Sequence, residues 1–398
     1  MFKRIHIKNF LSCQDVVIDN MSGMTALIGR NGSGKTNIFK AIQWLANCAT
    51  STQPIESIIR YPSTQISFVI VLDKNYFRYK LEATFTQETD NNPHTSLNEK
   101  LDIQTQTGEW KNIVYRQRDI IRIWGHDTDI QTDIAMPSLP VLTAMMPQKP
   151  VVKQIFAIIK FLKAVRYYPL DEPNQPNTEI GSDGYVRHLD YIKWLNKFDR
   201  SDLNTSVIMR LLHLFLAESE SYDELKTLLG ANGLDILENI NIIPLPYPVK
   251  NKGDDKVNEL YFIEFYPSSN RGQTSTTDYF RYKELSFGTR RLLRILVSVI
   301  SDKSAVLLLE QPEDGIHVEL LHKIIPLLKS YSDQGQFILA SHSPEVLNRL
   351  EPQEIRLVTM KNGITYLRSL DKTDIATAHQ FIREQGTLSD FLETIPED

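Results

Sequence analysis

Eight residues near the N-terminus constrain this chain most: Gly29-Arg30-Asn31-Gly32-Ser33-Gly34-Lys35-Thr36, a loop of the form G-x-x-x-x-G-K-[ST]. An apolar run at 24–28 precedes it, and Ile38, Phe39, Ile42 and Leu45 follow at helical spacing. A buried strand that feeds a glycine-rich turn and opens a helix is the setting in which such a loop wraps phosphate. The glycines let backbone N–H groups turn inward, and the helix N-terminus adds a favourable partial charge. Lys35 then reaches the β- and γ-phosphates, and the Thr36 hydroxyl is set to ligate magnesium.

Three further stretches complete the pattern. Residues 305–310, AVLLLE, read as an apolar strand ending in a carboxylate, Glu310, which suits a magnesium ligand, direct or through water. Upstream lies Leu285-Ser286-Phe287-Gly288-Thr289-Arg290-Arg291. A Ser and a Gly at a helix start make either an anion site or an ordinary N-cap. His342 follows the apolar run 337–340. At a strand tip beside a nucleotide it suits a γ-phosphate sensor; elsewhere it is a structural histidine.

Along the chain, residues 2–8 alternate as a half-buried strand does, and 16–18 pair with them. Runs at 65–72 and 76–85 flank Asp73-Lys74-Asn75, which has turn chemistry, so a hairpin is expected. The polar stretch 87–98 reads as a loop, and 110–123 fits strands or a helix. Four prolines in 136–150 imply irregular structure, and 151–165 reads as a helix. Residues 171–177 are a loop by composition; 186–240 read as mostly helical; 259–266 read as a strand between polar turns. From 282 onward helices at 289–301 and 318–331 alternate with strands at 305–309 and 337–340. The expected division is 1–150, 151–280 and 281–398: two halves of an α/β unit around a mainly helical insertion.

Composition narrows the class. The 398 residues are 41% hydrophobic and 23% charged, which excludes a mainly disordered chain. No apolar run reaches 18 residues, and charges break the apolar positions of MFKRIHIKNF, so neither a membrane span nor a secretory signal is expected. Cys13 and Cys48 make no disulfide framework and fit a reducing cytoplasm. A net charge of −5 gives no support to nucleic-acid binding over the whole surface. A local basic patch at Arg281, Lys283, Arg290, Arg291 and Arg294 stays open.

The segments GRNGSGKTN, LSFGTRR, LLLEQPEDGIH and LASHSP, in that order, resemble the ABC-type ATPases of the SMC/RecF/OLD group. They are most like the stand-alone AAA-type ATPases of the OLD-like branch, often found in bacterial phage-defence or toxin–antitoxin operons. The N-terminal KRIHIKNFLSCQDVVID resembles that group's opening hairpin. The likeness is close over 1–48 and 280–345, loose over 49–170, and carries no motif over 171–280. It implies an ABC-type ATPase head with an N-terminal antiparallel β part, a parallel nucleotide-binding core and a mainly helical insertion. It implies ATP and Mg2+ as ligands, held by Gly29 to Thr36 and Asn37, with Thr36 and Glu310 on the metal. It implies a homodimer with ATP between two heads, so that Ser286 and Gly288 contact nucleotide on the other copy's Lys35. An isolated subunit is then slow, because half of each site is missing.

In this family a glutamate usually follows the magnesium acid and activates the attacking water. Here Gln311 stands there. An amide positions water but accepts no proton. Three readings stay open: an introduced Glu-to-Gln change that traps ATP, a natural Gln aided by Glu313 or His342, or an ATP-gated clamp with little turnover. With 56 residues past His342, the nuclease domain of longer OLD-like chains is not expected here, and the output activity is expected on another chain. Two functions follow from the likeness. One is a regulatory ATPase whose dimerisation controls a separately encoded effector, a nuclease or toxin, in phage defence. The alternative is a RecF-like, DNA-binding ATP clamp in repair, which leaves nucleic acid open as a partner. A transporter ATPase is disfavoured by the long insertion and by LSFGTRR.

Overall fold

A computed structural model describes residues 1–55, 61–87, 93–125, 129–168, 181, 183–197, 206–248, 257–268, 279–301, 306–384 and 386–395. The chain packs as two units, one of 1–168, 304–312 and 332–398, the other of 169–303 and 313–331. Strands and helices are numbered below in chain order.

The first unit opens with β1 (Phe2–Phe10), β2 (Cys13–Ile18), β3 (Met24–Ile28) and α1 (Lys35–Thr50). A run of antiparallel strands follows: β4 (Ser63–Leu72), β5 (Asn75–Gln87), β6 (Pro93–Gln104), β7 (Trp110–Gln117), β8 (Ile120–Ile123) and β9 (Ile130–Gln131). These form an eight-stranded sheet in the order β2-β1-β4-β5-β6-β7-β8-β9. The expected hairpin is β4–β5, turning at Asp73 and Lys74, both with positive φ. The ambiguous stretch 110–123 is two strands.

Two expectations fail here. The stretch 87–98 was expected as a loop, but residues 93–98 belong to β6. Thr95, Leu97, Glu99 and Leu101 all face inward, and the interior carboxylate hides the alternation. The Arg116 guanidinium, fully buried, donates to Glu99 and to the backbone carbonyls of Asp133, Ile134 and Met136. Tyr79 Oη and Ser138 Oγ complete the shell around Glu99 at 2.6 and 2.8 Å. The stretch 136–150, expected as irregular, holds α2 (Ser138–Met145). Pro137 is its N-cap and Pro140 sits in its first turn, where a missing N–H costs nothing.

After α3 (Pro150–Lys163) and β10 (Val165–Tyr168), the unit is completed by β14 (Val306–Glu310), β15 (Gln336–Ser341), α9 (Pro344–Leu347), β16 (Ile355–Lys361), β17 (Ile364–Ser369), α10 (Lys372–Glu384) and α11 (Leu388–Thr394). These strands and β3 make a six-stranded sheet, β10-β14-β15-β3-β16-β17. All neighbours are parallel except β16 and β17. Strands β3 and β15 are buried along their whole length, and β14 is buried up to Glu310. Such strands are covered on both faces, which is why they read as unbroken apolar runs.

The second unit holds β11 (Tyr185–Arg187), α4 (His188–Lys197), α5 (Val207–Ala217), α6 (Ser219–Leu229), β12 (Leu237–Pro248), β13 (Val257–Pro267), α7 (Phe287–Ser301) and α8 (Val318–Ser330). Its three strands form one antiparallel sheet, β11-β13-β12. The stretch 186–240, expected as mostly helical, holds α4, α5 and α6 but begins and ends in strand. The packing boundary near 168 puts α3 and β10 with the first unit, whereas the sequence division falls at 150. The expected loop 171–177 lies outside the described residues.

Candidate nucleotide site

The phosphate loop runs from the tip of β3 into α1. Gly34 has φ 102°, and a Cβ there would meet the Thr365 hydroxyl, so glycine is required. Gly29 is equally confined, facing the Val358 carbonyl of β16. Arg30, Asn31 and Gly32 are exposed at the loop's mouth, and Ser33 is buried, its N–H donating to the Arg30 carbonyl at 3.1 Å. A buried chain of donors backs the loop. Asn37 Nδ2 donates to Ser12 Oγ at 2.6 Å, Ser12 Oγ lies 2.6 Å from Thr365 Oγ1, and Thr365 Oγ1 reaches the Ser33 carbonyl at 3.4 Å. Asn37, expected at the nucleotide, is therefore turned toward Ser12.

Lys35 is buried, and its ammonium donates to the carbonyls of Gly29 at 2.6 Å and Arg30 at 2.9 Å. Thr36 Oγ1 donates to Glu310 Oε1, and Tyr167 Oη donates to Glu310 Oε2 at 2.5 Å. A hydroxyl beside a carboxylate is the oxygen donor set that a hard cation such as magnesium takes. Sequence reading missed Tyr167. Its signal is slight, an aromatic pair closing the short run 165–168.

Gln311 follows Glu310 with φ 44°, a left-handed conformation that a residue with a Cβ seldom adopts. Its N–H donates to the Ala340 carbonyl at 2.7 Å, which pins the bend to β15. The side-chain amide donates to Asn31 Oδ1 at 3.4 Å and to His342 Nδ1 at 3.1 Å. Lys35, Thr36, Glu310, Gln311, Asn31 and His342 thus meet at the C-terminal tips of β3, β14 and β15.

Ser286, Gly288 and Glu313 belong to the second unit. Ser286 Oγ accepts from Thr289 N at 3.1 Å, the geometry of an N-cap. Gly288 has a packing reason as well, since a Cβ would stand 2.2 Å from the Gly315 carbonyl. Glu313 sits in the turn after Gln311 and its carbonyl accepts from Ile316 N at 3.2 Å. Several cations of the expected basic patch are engaged locally. Lys283 meets Asp183 at 2.5 Å, Arg290 Nη1 donates to the Leu285 carbonyl at 2.5 Å, and Arg291 lies 3.8 Å from Asp314. Among the described residues no three His, Cys, Asp or Glu side chains gather as a metal site, and no helix is long and apolar enough to cross a membrane.

A family model described as "AAA domain" matches residues 4–232, and a second, "AAA domain, putative AbiEii toxin, Type IV TA system", matches 236–348. The DNA replication and repair protein RecF of Phocaeicola vulgatus is 37% identical over 57 residues, and RecF of Bacteroides thetaiotaomicron likewise. Each match covers 14% of this chain and 15% of the RecF protein. The crystal structure of the SmcHead bound to the C-winged helix domain of ScpA aligns over 94% of this chain and 99% of its own, with a TM-score of 0.51 and 15% identity. That likeness is one of fold. The fold and site define an ABC-type ATPase of the SMC/RecF-like kind. The chain belongs to the AAA-domain family whose model covers its residues 4–232.

Proposed function

We propose that this ATPase is a regulatory switch: ATP draws two copies together, and the dimer controls a separately encoded effector, a nuclease or toxin, in bacterial phage defence. The observation that carries the reading is the convergence of Lys35, Thr36, Glu310 and Gln311 at one set of strand tips. The second family description, which names a toxin–antitoxin system, supports the effector arm.

In this reading Lys35 exchanges the Gly29 and Arg30 carbonyls for β- and γ-phosphate oxygens. The Thr36 hydroxyl and the Glu310 carboxylate would hold magnesium, which would supply neutralising charge on the phosphates. Gln311 Oε1 orients the attacking water, and His342 fixes the Gln311 amide. Ser286 and Gly288 of one copy close over nucleotide on the other, their α7 N-terminus offering N–H groups to phosphate. Turnover is slow, because no carboxylate stands at position 311. The chain acts in the cytoplasm, in keeping with its two free thiols.

Light scattering with ATP and magnesium should report twice the monomer mass, and Lys35→Ala should stay monomeric. A mass unchanged by nucleotide overturns the switch. The local likeness to RecF favours one second reading, a DNA clamp. ATP-dependent duplex binding with a steep salt dependence would select the clamp; nucleotide-dependent co-purification with a neighbouring gene's product would select the effector.

A further inference from the structure

The acid at the end of β14 is a glutamate, with one more rotatable bond than an aspartate. A metal ligand on a longer tether needs a second point of attachment to stay aimed. Here both carboxylate oxygens are engaged, Oε1 by the Thr36 hydroxyl and Oε2 by the Tyr167 phenol. The two bonds differ in kind. Thr36 belongs to the nucleotide loop, and its hydroxyl would leave Glu310 in order to serve a bound metal. Tyr167 belongs to β10, which pairs with β14 in parallel register, Tyr167 opposite Leu308. Its ring is buried and meets the edge of Phe39 of α1 at 5.8 Å and 70°. The phenol is thus held by the sheet on one side and by the helix that follows the phosphate loop on the other. The phenol oxygen lies 2.5 Å from Glu310 Oε2, at the short end of the hydrogen-bond range between oxygens.

We propose that Tyr167 is a positioning residue for the magnesium ligand: its phenol keeps Glu310 aimed at the metal after the Thr36 hydroxyl has left it. The proposal rests on the assignment of Glu310 as that ligand. The competing reading is that Glu310 merely satisfies a buried hydroxyl. The two differ in what depends on magnesium. A hydroxyl that needs only an acceptor affects folding and leaves the metal requirement alone. A hydroxyl that aims the carboxylate affects the metal requirement and leaves metal-free nucleotide binding alone.

The test uses Tyr167→Phe, with Tyr167→Leu as a second variant lacking the hydroxyl, each checked for folding by thermal melting. Binding of a fluorescent ATP analogue is titrated with magnesium and also measured in EDTA. The expected result is an unchanged affinity in EDTA and a magnesium midpoint raised about tenfold or more, the usual weight of one hydrogen bond to a charged group. The same double measurement on Glu310→Gln should show no further shift when Tyr167→Phe is added, because the two residues act as one unit. A midpoint within twofold of the parent in a folded Tyr167 variant overturns the proposal while leaving the nucleotide site intact. A parent chain whose analogue binding ignores magnesium overturns the assignment of Glu310 itself.

Discussion

The side-chain amide nitrogen of Gln311 lies 3.1 Å from Nδ1 of His342, joining the tips of β14 and β15 beside the phosphate loop. The backbone bends there into a left-handed conformation at Gln311, and such strain is retained where the surrounding structure fixes it.

From that pair follows a gain-of-function prediction. Gln311→Glu introduces a carboxylate able to take a proton, with the His342 ring beside it. General-base help is worth about 10²- to 10⁴-fold, so steady-state ATPase should rise at least about tenfold under saturating magnesium. A rate unchanged or lowered would transfer the catalytic assignment to Glu313 or His342.

Lys35→Ala should abolish detectable nucleotide binding by isothermal titration. The parent ammonium is buried in the loop and donates to the Gly29 and Arg30 carbonyls, acceptors that phosphate oxygens can replace. Equal affinity in variant and parent would remove the phosphate-loop assignment.

Ser286→Arg should leave nucleotide affinity within about twofold and block the ATP-dependent dimer. Ser286 caps α7, and loss of a cap costs about 1 kcal/mol, too little to unfold the chain. Parent-like mass in the variant under ATP would sink the shared-site arrangement.

Arg116→Met should destabilise the first unit by about 3–5 kcal/mol, since it leaves the Glu99 carboxylate buried beside Tyr79 without its cation. Chemical denaturation reads this directly. A loss under about 1 kcal/mol would mean that Tyr79 and Ser138 suffice.

Burial pushes the Cys13 thiol from 9.0 to about 12 and raises Cys48 in the same direction. A raised thiol pKa keeps the folded state protonated while the unfolded state ionises. Its stabilising contribution is therefore complete below about pH 9 and is lost as pH climbs toward 12. Both cysteines should resist a thiol reagent at pH 8 until denaturant is added, and the melting temperature should fall above pH 9. Rapid labelling of the native chain would contradict the buried positions.

The phosphate loop, β14 and β15 were legible because strands buried on both faces leave plain apolar runs, and because the loop chemistry demands glycine at fixed places. Strand β6 was not legible, because its inward row contains Glu99, whose partner Arg116 comes 17 residues later. Helix α2 was hidden by Pro137 and Pro140, which break helices elsewhere but suit a first turn. Tyr167 was invisible for another reason. Its role depends on β10 lying against β14, a pairing across roughly 140 residues that no local pattern encodes. The backing of the loop by Ser12 and Thr365 joins residues even further apart.

The position of β3 has a consequence for synthesis. It lies inside the parallel sheet, between β15 and β16, yet it leaves the ribosome some 300 residues before either neighbour. At 5–20 residues per second the strand that carries the phosphate loop waits about 15–60 s with both edges unpaired. The eight-stranded sheet, built from near neighbours in sequence, has time to form in that interval, whereas the nucleotide site cannot assemble before β15 is made. A nascent chain halted short of Ser341 would expose an apolar strand and hold no ATP, so co-translational capture by a chaperone should peak in that window.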